Sequence, residues 1–399
     1  LEYMCDMFIS MFSATDDELT QQRAADVKDL KTSMLSILLG VKEVKLSAAP
    51  KGTVVVAKEL TPSMTAGINK ENIVGIITET GGKTSHSAIL ARALEIPAVL
   101  SVNGAVSKLS AGAYVIVDGS EGVVIDEPDD AVIQEYNTKR INFLKERKEL
   151  ENFRGKATKA LSGEEYELFC NIGKPEDAIK AVDADGEGVG LFRTEFLFMD
   201  RTALPTEDEQ FDAYKKAALT LKGKPVIIRT LDIGGDKEIP YLGLKKEENP
   251  FLGFRAIRYC LKHKDLFKTQ LRAIVRASAF GDVRIMFPLI TAVEELREGK
   301  ALVEEVKAEL REQGVEFNEN IPVGIMTETS AAVMIADILA KESDFFSIGT
   351  NDLTGYTMAC DRGNDDVAYL YSPLQPSVLR GIKYIIDCAN KNNISVGMC

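Results

Sequence analysis

Seven short apolar stretches in the later part of the chain restrict its possible folds more than any other feature. Helix-length or loop-length segments separate them, and they are ELFCNI (167–172), GVGLFR (188–193), PVIIRT (225–230), VRIMFP (283–288), PVGIMTE (322–328), DFFSIG (344–349) and ISVGMC (394–399). Strands that alternate with helices over such a length predict a (β/α)8 barrel, here covering residues 156–399. Because only seven strands precede the end at Cys399, we expect a truncated chain whose barrel lacks its last strand and helix.

The chain before this region divides into three segments. Residues 1–40 have the apolar spacing of a helix. Residues 41–127 contain five short β-rich runs, broken by glycines and by one helical segment, which predicts a compact α/β domain. Residues 128–155 begin acidic and become more basic, as in a solvated linker helix, and Gly155 then offers a hinge.

The stretch GGKTSHSAILARALEIPAVL (81–100) contains one of the two histidines of the chain, His86. The apolar spacing after His86 predicts an amphipathic helix, with Thr84 as its N-cap and Pro97 beyond its end. An imidazole at a helix N-terminus, preceded by two glycines, suits an anion such as a phosphoryl group carried on the ring. The alternative is a histidine that only caps a helix, but the glycines and hydroxyls favour the phosphoryl carrier.

Polar or ionisable side chains follow five of the predicted strands at their carboxyl ends, where a barrel has its active site. They are Arg193, Arg229, Glu328, the pair Asn351 and Asp352, and Cys399. Arginines and carboxylates that face the same mouth of a barrel need groups of opposite charge. A phosphate would balance the arginines, and a divalent metal beside it would balance the carboxylates. The sequence therefore predicts a site for a phosphorylated substrate and Mg²⁺.

The composition excludes several other classes of function. The formal net charge is −13, and no basic stripe is interleaved with aromatic residues, which argues against nucleic-acid binding. The six cysteines are scattered without a CxxC pair, so they predict neither a zinc site nor a disulfide framework. No apolar run approaches the ~20 residues of a membrane span, and no basic leader opens the chain. We therefore expect a cytoplasmic protein.

Several motifs together resemble one family. GGKTSHSAILAR is similar to the phosphohistidine signature of the phosphoenolpyruvate-utilising enzymes. GLFRTEFLFMDR, RTLDIGGDKE, NPFLGFRAIR, IGTNDLTGYTMACDRGN and the closing GMC all resemble enzyme I of the bacterial sugar phosphotransferase system. The resemblance extends from about residue 15 to the end of the chain.

The resemblance implies a role for each candidate residue. His86 would accept the phosphoryl group, and Cys399 would protonate the enolpyruvate carbon. Mg²⁺ would be bound by Glu328 and Asp352. The residues implied to bind phosphoenolpyruvate are Arg193, Arg229, Arg255, Asn351 and Arg362.

The resemblance also implies partners. The phosphoryl group would pass from His86 to the histidine phosphocarrier protein, for sugar uptake. Residues 1–40 would be the remnant of a helical subdomain that docks this carrier, and residues 41–127 would be a phosphohistidine domain that swivels. The family dimerises through the barrel, which implies a homodimer.

Two other interpretations remain open from the sequence. A pyruvate phosphate dikinase or phosphoenolpyruvate synthase shares the phosphohistidine domain and the barrel, but needs a nucleotide-binding domain, and no P-loop precedes His86. A regulatory phosphorelay module would accept phosphate without turning over substrate. Such a module would not need the full set of side chains at the strand ends.

Overall fold

A computed structural model describes most of the chain. The described residues are 2–13, 46–60, 68–81, 85–199, 201–234, 239–361 and 364–399, with single positions at 24, 27, 28, 30, 31, 34, 35, 38 and 64. The chain divides into two compact units, Leu1–Asn152 and Phe153–Cys399, and each is described by itself. No helix in the described residues is both long enough and apolar enough to cross a membrane.

The first unit contains helices and two small sheets. In chain order its elements are α1 (Glu2–Ser13), a 3₁₀ turn (Leu46–Ala48), β1 (Thr53–Ala57), β2 (Ile73–Thr78), α2 (His86–Leu94), β3 (Ala98–Val99), α3 (Ala105–Lys108), β4 (Val115–Asp118), β5 (Val123–Asp126) and α4 (Asp130–Glu151). Strands β1, β2 and β3 are parallel in that order, while β4 and β5 form an antiparallel pair. A small core that includes Val55, Ile73 and Ile76 lies around the parallel sheet.

The second unit begins with the small pair β6 (Thr158–Lys159) and β7 (Glu165–Tyr166) and continues as alternating strands and helices. The later elements are β8 (Phe169–Ile172), α5 (Asp177–Asp183), β9 (Gly188–Arg193), α6 (Glu207–Leu221), β10 (Val226–Arg229), α7 (Ala256–Lys262), α8 (Lys264–Ala277), β11 (Val283–Phe287), α9 (Val293–Glu312), β12 (Val323–Thr327), α10 (Ser330–Met334), α11 (Ala336–Leu339), β13 (Phe345–Ile348), α12 (Thr350–Met358), α13 (Pro376–Lys391) and β14 (Ser395–Met398). Short 3₁₀ turns lie at Thr194–Leu197, Pro240–Leu242, Pro250–Leu252, Ser278–Phe280 and Asp365–Leu370.

Strands β8 to β14 form one seven-stranded sheet in which every neighbouring pair is parallel and the spatial order is the sequence order. Strands β10, β11 and β12 are buried almost throughout, which explains their nearly continuous apolar sequence. The helices cover the sheet with apolar faces, as on α8, where Phe267, Leu271 and Ile274 are fully buried. The result is a curled parallel sheet, the half-barrel form of a mixed α/β fold.

The elements agree with much of the sequence interpretation. All seven predicted stretches contain a strand of the parallel sheet, and the five β-rich runs of the first unit contain β1 to β5. The charged segment predicted over 128–155 contains α4, with the carboxylate of Asp129 accepting a bond from the backbone N–H of Val132 at 2.9 Å. Of the helix predicted over 1–40, residues 2–13 are helical, and most of residues 14–45 lie outside the described residues.

Candidate active site

The sheet register brings the predicted strand-end residues to one edge. Arg193 and Arg229 are direct partners across β9 and β10. The register also aligns the ends of β12, β13 and β14, at Thr327, Ile348 and Met398. The next residue after each of these strand ends is Glu328, Gly349 and Cys399, respectively. Because the strands are parallel, the carboxyl ends of distant parts of the chain meet at this edge.

Arg229 is buried, with 7% of its surface exposed, and two carboxylates hold its guanidinium group. Its Nη2 lies 2.7 Å from Oε1 of Glu195, and its Nη1 lies 3.0 Å from Oδ2 of Asp232. Burial by itself would lower the pKa of Arg229, but the negative charges of Asp232 and Glu195 outweigh it and the pKa is raised. Arg229 therefore stays charged at this edge.

Arg255, with 5% of its surface exposed, is held by the same aspartate. Its Nη2 lies 2.7 Å from Oδ1 of Asp232 and 3.6 Å from Oδ2 of Asp352, and its Nη1 lies 3.5 Å from the hydroxyl oxygen of Tyr356. Burial opposes the charge of Arg255, yet the carboxylate of Asp232 raises its pKa overall. Asp232 thus fixes two buried arginines side by side.

Both arginines keep one buried donor free. The Nε atoms of Arg229 and Arg255 are shielded from solvent and find no hydrogen-bond partner among the described residues. A buried donor without a partner costs free energy, and native proteins rarely leave one unless a ligand or water completes it. Two such donors on neighbouring guanidinium groups indicate an anion site.

Glu328, 2% exposed, carries a strongly perturbed carboxyl group at this edge. Its Oε1 accepts a hydrogen bond from the backbone N–H of Leu289 at 2.7 Å. Burial, reinforced by the charges of Asp232 and Asp352, raises the pKa of Glu328 to about 8. A carboxylate that is costly to ionise beside another carboxylate suits a cation that neutralises both.

The donor set fits a divalent metal that takes only part of its ligands from protein. Glu328 and Asp352 supply carboxylate oxygens, and Asp352 lies in the first turn of α12. In the described part of the chain no group of three or more His, Cys, Asp or Glu side chains could hold a metal by itself. If two carboxylates held a divalent cation, its remaining positions would be open to water and substrate oxygens.

Cys399 and Asn351 lie at the β13–β14 end of the same edge. The N–H of Cys399 donates to the carbonyl of Ile348 at 3.1 Å, and the backbone N–H and hydroxyl of Thr350 both donate to the carbonyl of Cys399. Cys399 is exposed at the end of β14, but partial desolvation of its thiol by the neighbouring strand ends, followed by the nearby carboxyl of Glu328, raises the pKa of Cys399. The thiol therefore keeps its proton near neutral pH. Asn351 is exposed, and its backbone carbonyl accepts a hydrogen bond from the hydroxyl of Tyr371 at 3.0 Å.

Arg193 differs from the two buried arginines. Its side chain is exposed at the end of β9, with the guanidinium 5.2 Å from the ring centroid of Phe196. The positive charge of Arg193 slightly lowers the pKa of Cys399, but desolvation and the carboxyl of Glu328 raise it by more. Arg362, the remaining predicted substrate ligand, lies outside the described residues.

In the first unit, α2 begins at His86, as expected, but its cap differs from the prediction. The side chain of Ser85 accepts the hydrogen bond from the N–H of Ala88 at 3.3 Å, so Ser85 is the N-cap and the prediction of Thr84 was wrong by one residue. Both residues carry a hydroxyl, and only the backbone path decides which one reaches the free N–H groups. Thr84 and the position of the His86 imidazole lie outside what the structure describes.

Sequence reasoning missed two side chains that organise this edge, Glu195 and Asp232. Both are almost fully buried, and each follows a predicted arginine by two or three positions, in RTE and RTLD. A charged residue so close to a buried arginine could have signalled an ion pair. However, Glu195 pairs with Arg229 of the next strand, which only the register shows.

Gly234 controls how closely the backbone approaches Arg255. It has φ +117°, and an added Cβ would lie 2.5 Å from the Cβ of Arg255. Gly223 is a matched control, because it has φ +88° but an added Cβ there meets no atom of the described residues within 4 Å. We expect Gly223→Ala to cost only the left-handed strain of about 1 to 2 kcal/mol. Gly234→Ala should cost at least about 1 kcal/mol more, because the clash adds to this strain.

The measurement is the free energy of unfolding of both glycine variants and the wild type, from urea denaturation. An equal loss for Gly234→Ala and Gly223→Ala would show that the backbone at residue 234 does not press on Arg255.

Comparison with known proteins shows where this arrangement belongs. The model of the PEP-binding domain of PEP-utilising enzymes matches residues 147–399, and the model of their mobile domain matches residues 49–122. The phosphoenolpyruvate-protein phosphotransferase of Priestia megaterium is 48% identical over 399 residues, covering 100% of this chain and 70% of that protein.

Two further relatives agree. The phosphoenolpyruvate-protein phosphotransferase of Geobacillus stearothermophilus is 50% identical over 402 residues, and that of Bacillus subtilis is 48% identical over 399 residues. Each comparison covers 100% of this chain and 70% of the relative. Since the PEP-binding model alone covers well over half of the chain and the relatives align along its whole length, the chain belongs to the PEP-utilising enzymes and, among them, to the phosphoenolpyruvate-protein phosphotransferase family.

Proposed function

We propose that this enzyme transfers the phosphoryl group of phosphoenolpyruvate to His86, releases pyruvate, and passes the group to the histidine phosphocarrier protein for sugar uptake. The relatives named phosphoenolpyruvate-protein phosphotransferase support the overall reaction. The single structural observation that carries the proposal is the pair of buried, unpartnered Nε donors on Arg229 and Arg255. They are the donors that a phosphate or carboxylate would satisfy.

Substrate binding is proposed for five residues. Asp232 holds the guanidinium groups of Arg229 and Arg255 in place before the anion enters. Arg193 adds an exposed guanidinium at the end of the neighbouring strand. We assign Arg362 to the phosphoryl end of the substrate and Asn351 to a further polar contact, both from the family motif IGTNDLTGYTMACDRGN.

We propose that Mg²⁺ is the divalent metal and that Glu328 and Asp352 hold it. The raised pKa of Glu328 supports this, because burial and, after it, the charges of Asp232 and Asp352 make a negative charge on Glu328 costly unless a cation neutralises it. When bound, the metal would neutralise charge on the transferring phosphoryl group. The proposed role of the protein side chains is to hold the metal and leave it open toward substrate.

The chemistry assigned to the chain itself consists of two steps. Nε2 of His86 attacks phosphorus, so that an N–P bond forms while the bond from phosphorus to the enol oxygen breaks. The thiol of Cys399 then donates its proton to the methylene carbon of enolpyruvate, giving pyruvate, and the thiolate regains a proton from water. The raised pKa of Cys399 supports an acid role, because the proton is present at neutral pH.

To accept the phosphoryl group and then pass it on, His86 must reach both the barrel mouth and the carrier. We propose that residues 41–127 form the swivelling phosphohistidine domain, 128–155 the linker helix and 156–399 the phosphoenolpyruvate-binding part of a (β/α)8 barrel. The match of 49–122 to a mobile-domain model supports the first assignment. Gly155, with φ +72°, is the proposed hinge. We further propose that residues 1–40 belong to the carrier-docking subdomain and that the barrel forms a homodimer.

The test of the proposed function is incubation with radiolabelled phosphoenolpyruvate and Mg²⁺, without nucleotide. We expect an acid-labile, base-stable phosphoprotein and one pyruvate for each phosphoryl group bound. Transfer of the label to added histidine phosphocarrier protein completes the test. A requirement for ATP and phosphate would instead support a dikinase or synthase, and label without pyruvate would support a regulatory module.

Cys399→Ser separates proton donation from binding. A serine hydroxyl is a far weaker acid than the thiol, so we expect pyruvate formation to fall about 10²- to 10⁴-fold. Affinity for phosphoenolpyruvate and Mg²⁺ should persist, because the arginines and carboxylates are unchanged. The measurements are the pyruvate formation rate and the substrate affinity. Cys170→Ser, in β8 of the same sheet, is the control and should keep both. Lost affinity with preserved turnover of bound substrate would remove Cys399 from the acid role.

A further inference from the structure

Gln270 is a fully buried polar residue on the otherwise apolar inner face of α8. Its Nε2 donates to the hydroxyl of Thr194 at 3.1 Å and to the hydroxyl of Tyr214 at 3.3 Å. Its Oε1 accepts from the backbone N–H of Leu231 at 2.9 Å. Both N–H groups of this amide are therefore used, each toward a different segment of the chain.

The contacts of Gln270 lead to both peptide groups that flank residue 230. On one side, Leu231 donates directly to the amide of Gln270. On the other side, the hydroxyl of Thr194, itself fixed by Gln270, donates to the carbonyl of Arg229 at 2.8 Å. The exit of the chain from β10 is therefore held at two successive peptide groups. This exit carries Arg229 and, three residues later, Asp232.

Thr194 also lies between two residues of the site. Arg193 precedes it at the end of β9, and Glu195 follows it and pairs with the guanidinium of Arg229 at 2.7 Å. The amide of Gln270 thus ties the 193–195 segment to the exit of β10. The opposite end of the network is anchored on α6, where Tyr214 donates to Gln210 at 3.2 Å.

We propose that Gln270 is a positioning residue, which sets the guanidinium of Arg229 relative to substrate through Thr194 and Leu231. This inference rests on the proposed function and adds to it a residue remote from the reacting atoms. An apolar side chain would satisfy the packing of α8 but would leave the N–H of Leu231 without its acceptor. The hydroxyl of Thr194 would then be free to turn away from the carbonyl of Arg229. The backbone at Arg229, from which its side chain extends, would no longer be held in place.

The test uses Gln270→Leu, Thr194→Val and the double variant, in the labelling reaction with phosphoenolpyruvate. Each single change should lower kcat/KM for phosphoenolpyruvate about 10- to 100-fold, the scale of a misplaced binding group. Most of the change should be in KM, while the Mg²⁺ concentration for half-activation stays within about twofold, because Glu328 and Asp352 are untouched. The kcat/KM of the double variant should lie at most about threefold below that of the poorer single variant. Both changes interrupt the same series of hydrogen bonds, so their effects should not add.

Ser278→Ala is the matched control. Ser278 is also buried and near the end of α8, and its hydroxyl accepts from the N–H of Asn318 at 2.8 Å, away from the strand ends that carry the site. This variant should lose thermal stability but keep KM. Unchanged KM in both Gln270→Leu and Thr194→Val, or a KM increase in Ser278→Ala equal to theirs, would overturn the proposal. If Gln270→Leu does not fold, the isosteric Thr194→Val decides the question by itself. A wild-type protein that takes no label would refute the proposed function instead.

Discussion

His86→Ala should take up no label from radiolabelled phosphoenolpyruvate under conditions in which the wild-type protein becomes fully labelled. His86 opens α2, and the carrier chemistry assigned to it needs a nucleophilic nitrogen beside the free N–H groups of a helix start. Removing the imidazole removes the only proposed acceptor of the phosphoryl group. The loss should therefore be complete rather than partial.

The chain has two histidines, so His263→Ala is the matched control. His263 is exposed, and its ring lies 4.3 Å from that of Tyr259 between α7 and α8. This variant should be labelled like the wild type. Acid-labile label in His86→Ala, or its disappearance in His263→Ala, would contradict the assignment of the acceptor.

Glu328→Gln and Asp352→Asn should each reduce metal-dependent phosphoryl transfer by at least about 10²-fold. Each change keeps the size of the side chain but replaces one carboxylate ligand of the proposed metal site by a neutral amide. Losing one preorganised electrostatic group from an active site commonly costs a factor of this size. The measurement is the initial rate of labelling as a function of Mg²⁺ concentration. Both variants should need much more metal, and a rate that follows the wild-type metal dependence would refute the metal assignment.

Glu342→Gln provides the control for these charge removals. Glu342 forms an ion pair with Arg297, at 2.5 Å, in the same unit. Because both partners are partly exposed, the pair contributes little to stability and nothing to the proposed site. Its labelling rate and its metal dependence should remain those of the wild type.

Glu328→Gln should also change the dependence of stability on pH when no metal is present. The folded protein raises the pKa of Glu328 from 4.5 to about 8, mainly by burial, so the folded state binds more protons than the unfolded state between these pH values. The free energy of unfolding of the wild type therefore falls as pH rises through this window. Gln cannot ionise, so the stability of the variant relative to wild type should increase from about pH 5 to about pH 8. Parallel curves from urea denaturation would be inconsistent with the raised pKa.

The sequence by itself determined the strands and the residues at their ends. The period and length of the apolar stretches correctly predicted β8 to β14, because a strand covered by helices on its faces must be apolar along most of its length. Arg229 and Glu328 could be predicted as site residues because each lies at the carboxyl end of a predicted strand. The carboxyl ends of parallel strands meet at one edge of the sheet, so position within a strand already indicates where these residues lie. The family motifs extended this to Arg255, which lies at the start of α7 rather than at a strand end.

Only the tertiary structure decided how these groups are paired. The ion pairs of Asp232 with both arginines, and the hydrogen bond that Arg229 donates to Glu195, depend on distances between side chains to within an ångström. Residue spacing along the chain does not contain these distances, since residues 195 and 229, or 270 and 194, are separated by intervening helices. The same reason explains the cap at Ser85, where two adjacent hydroxyls were chemically equivalent and the path of the backbone selected one. Local periodicity specifies which face of an element is buried, whereas packing specifies which buried polar groups meet.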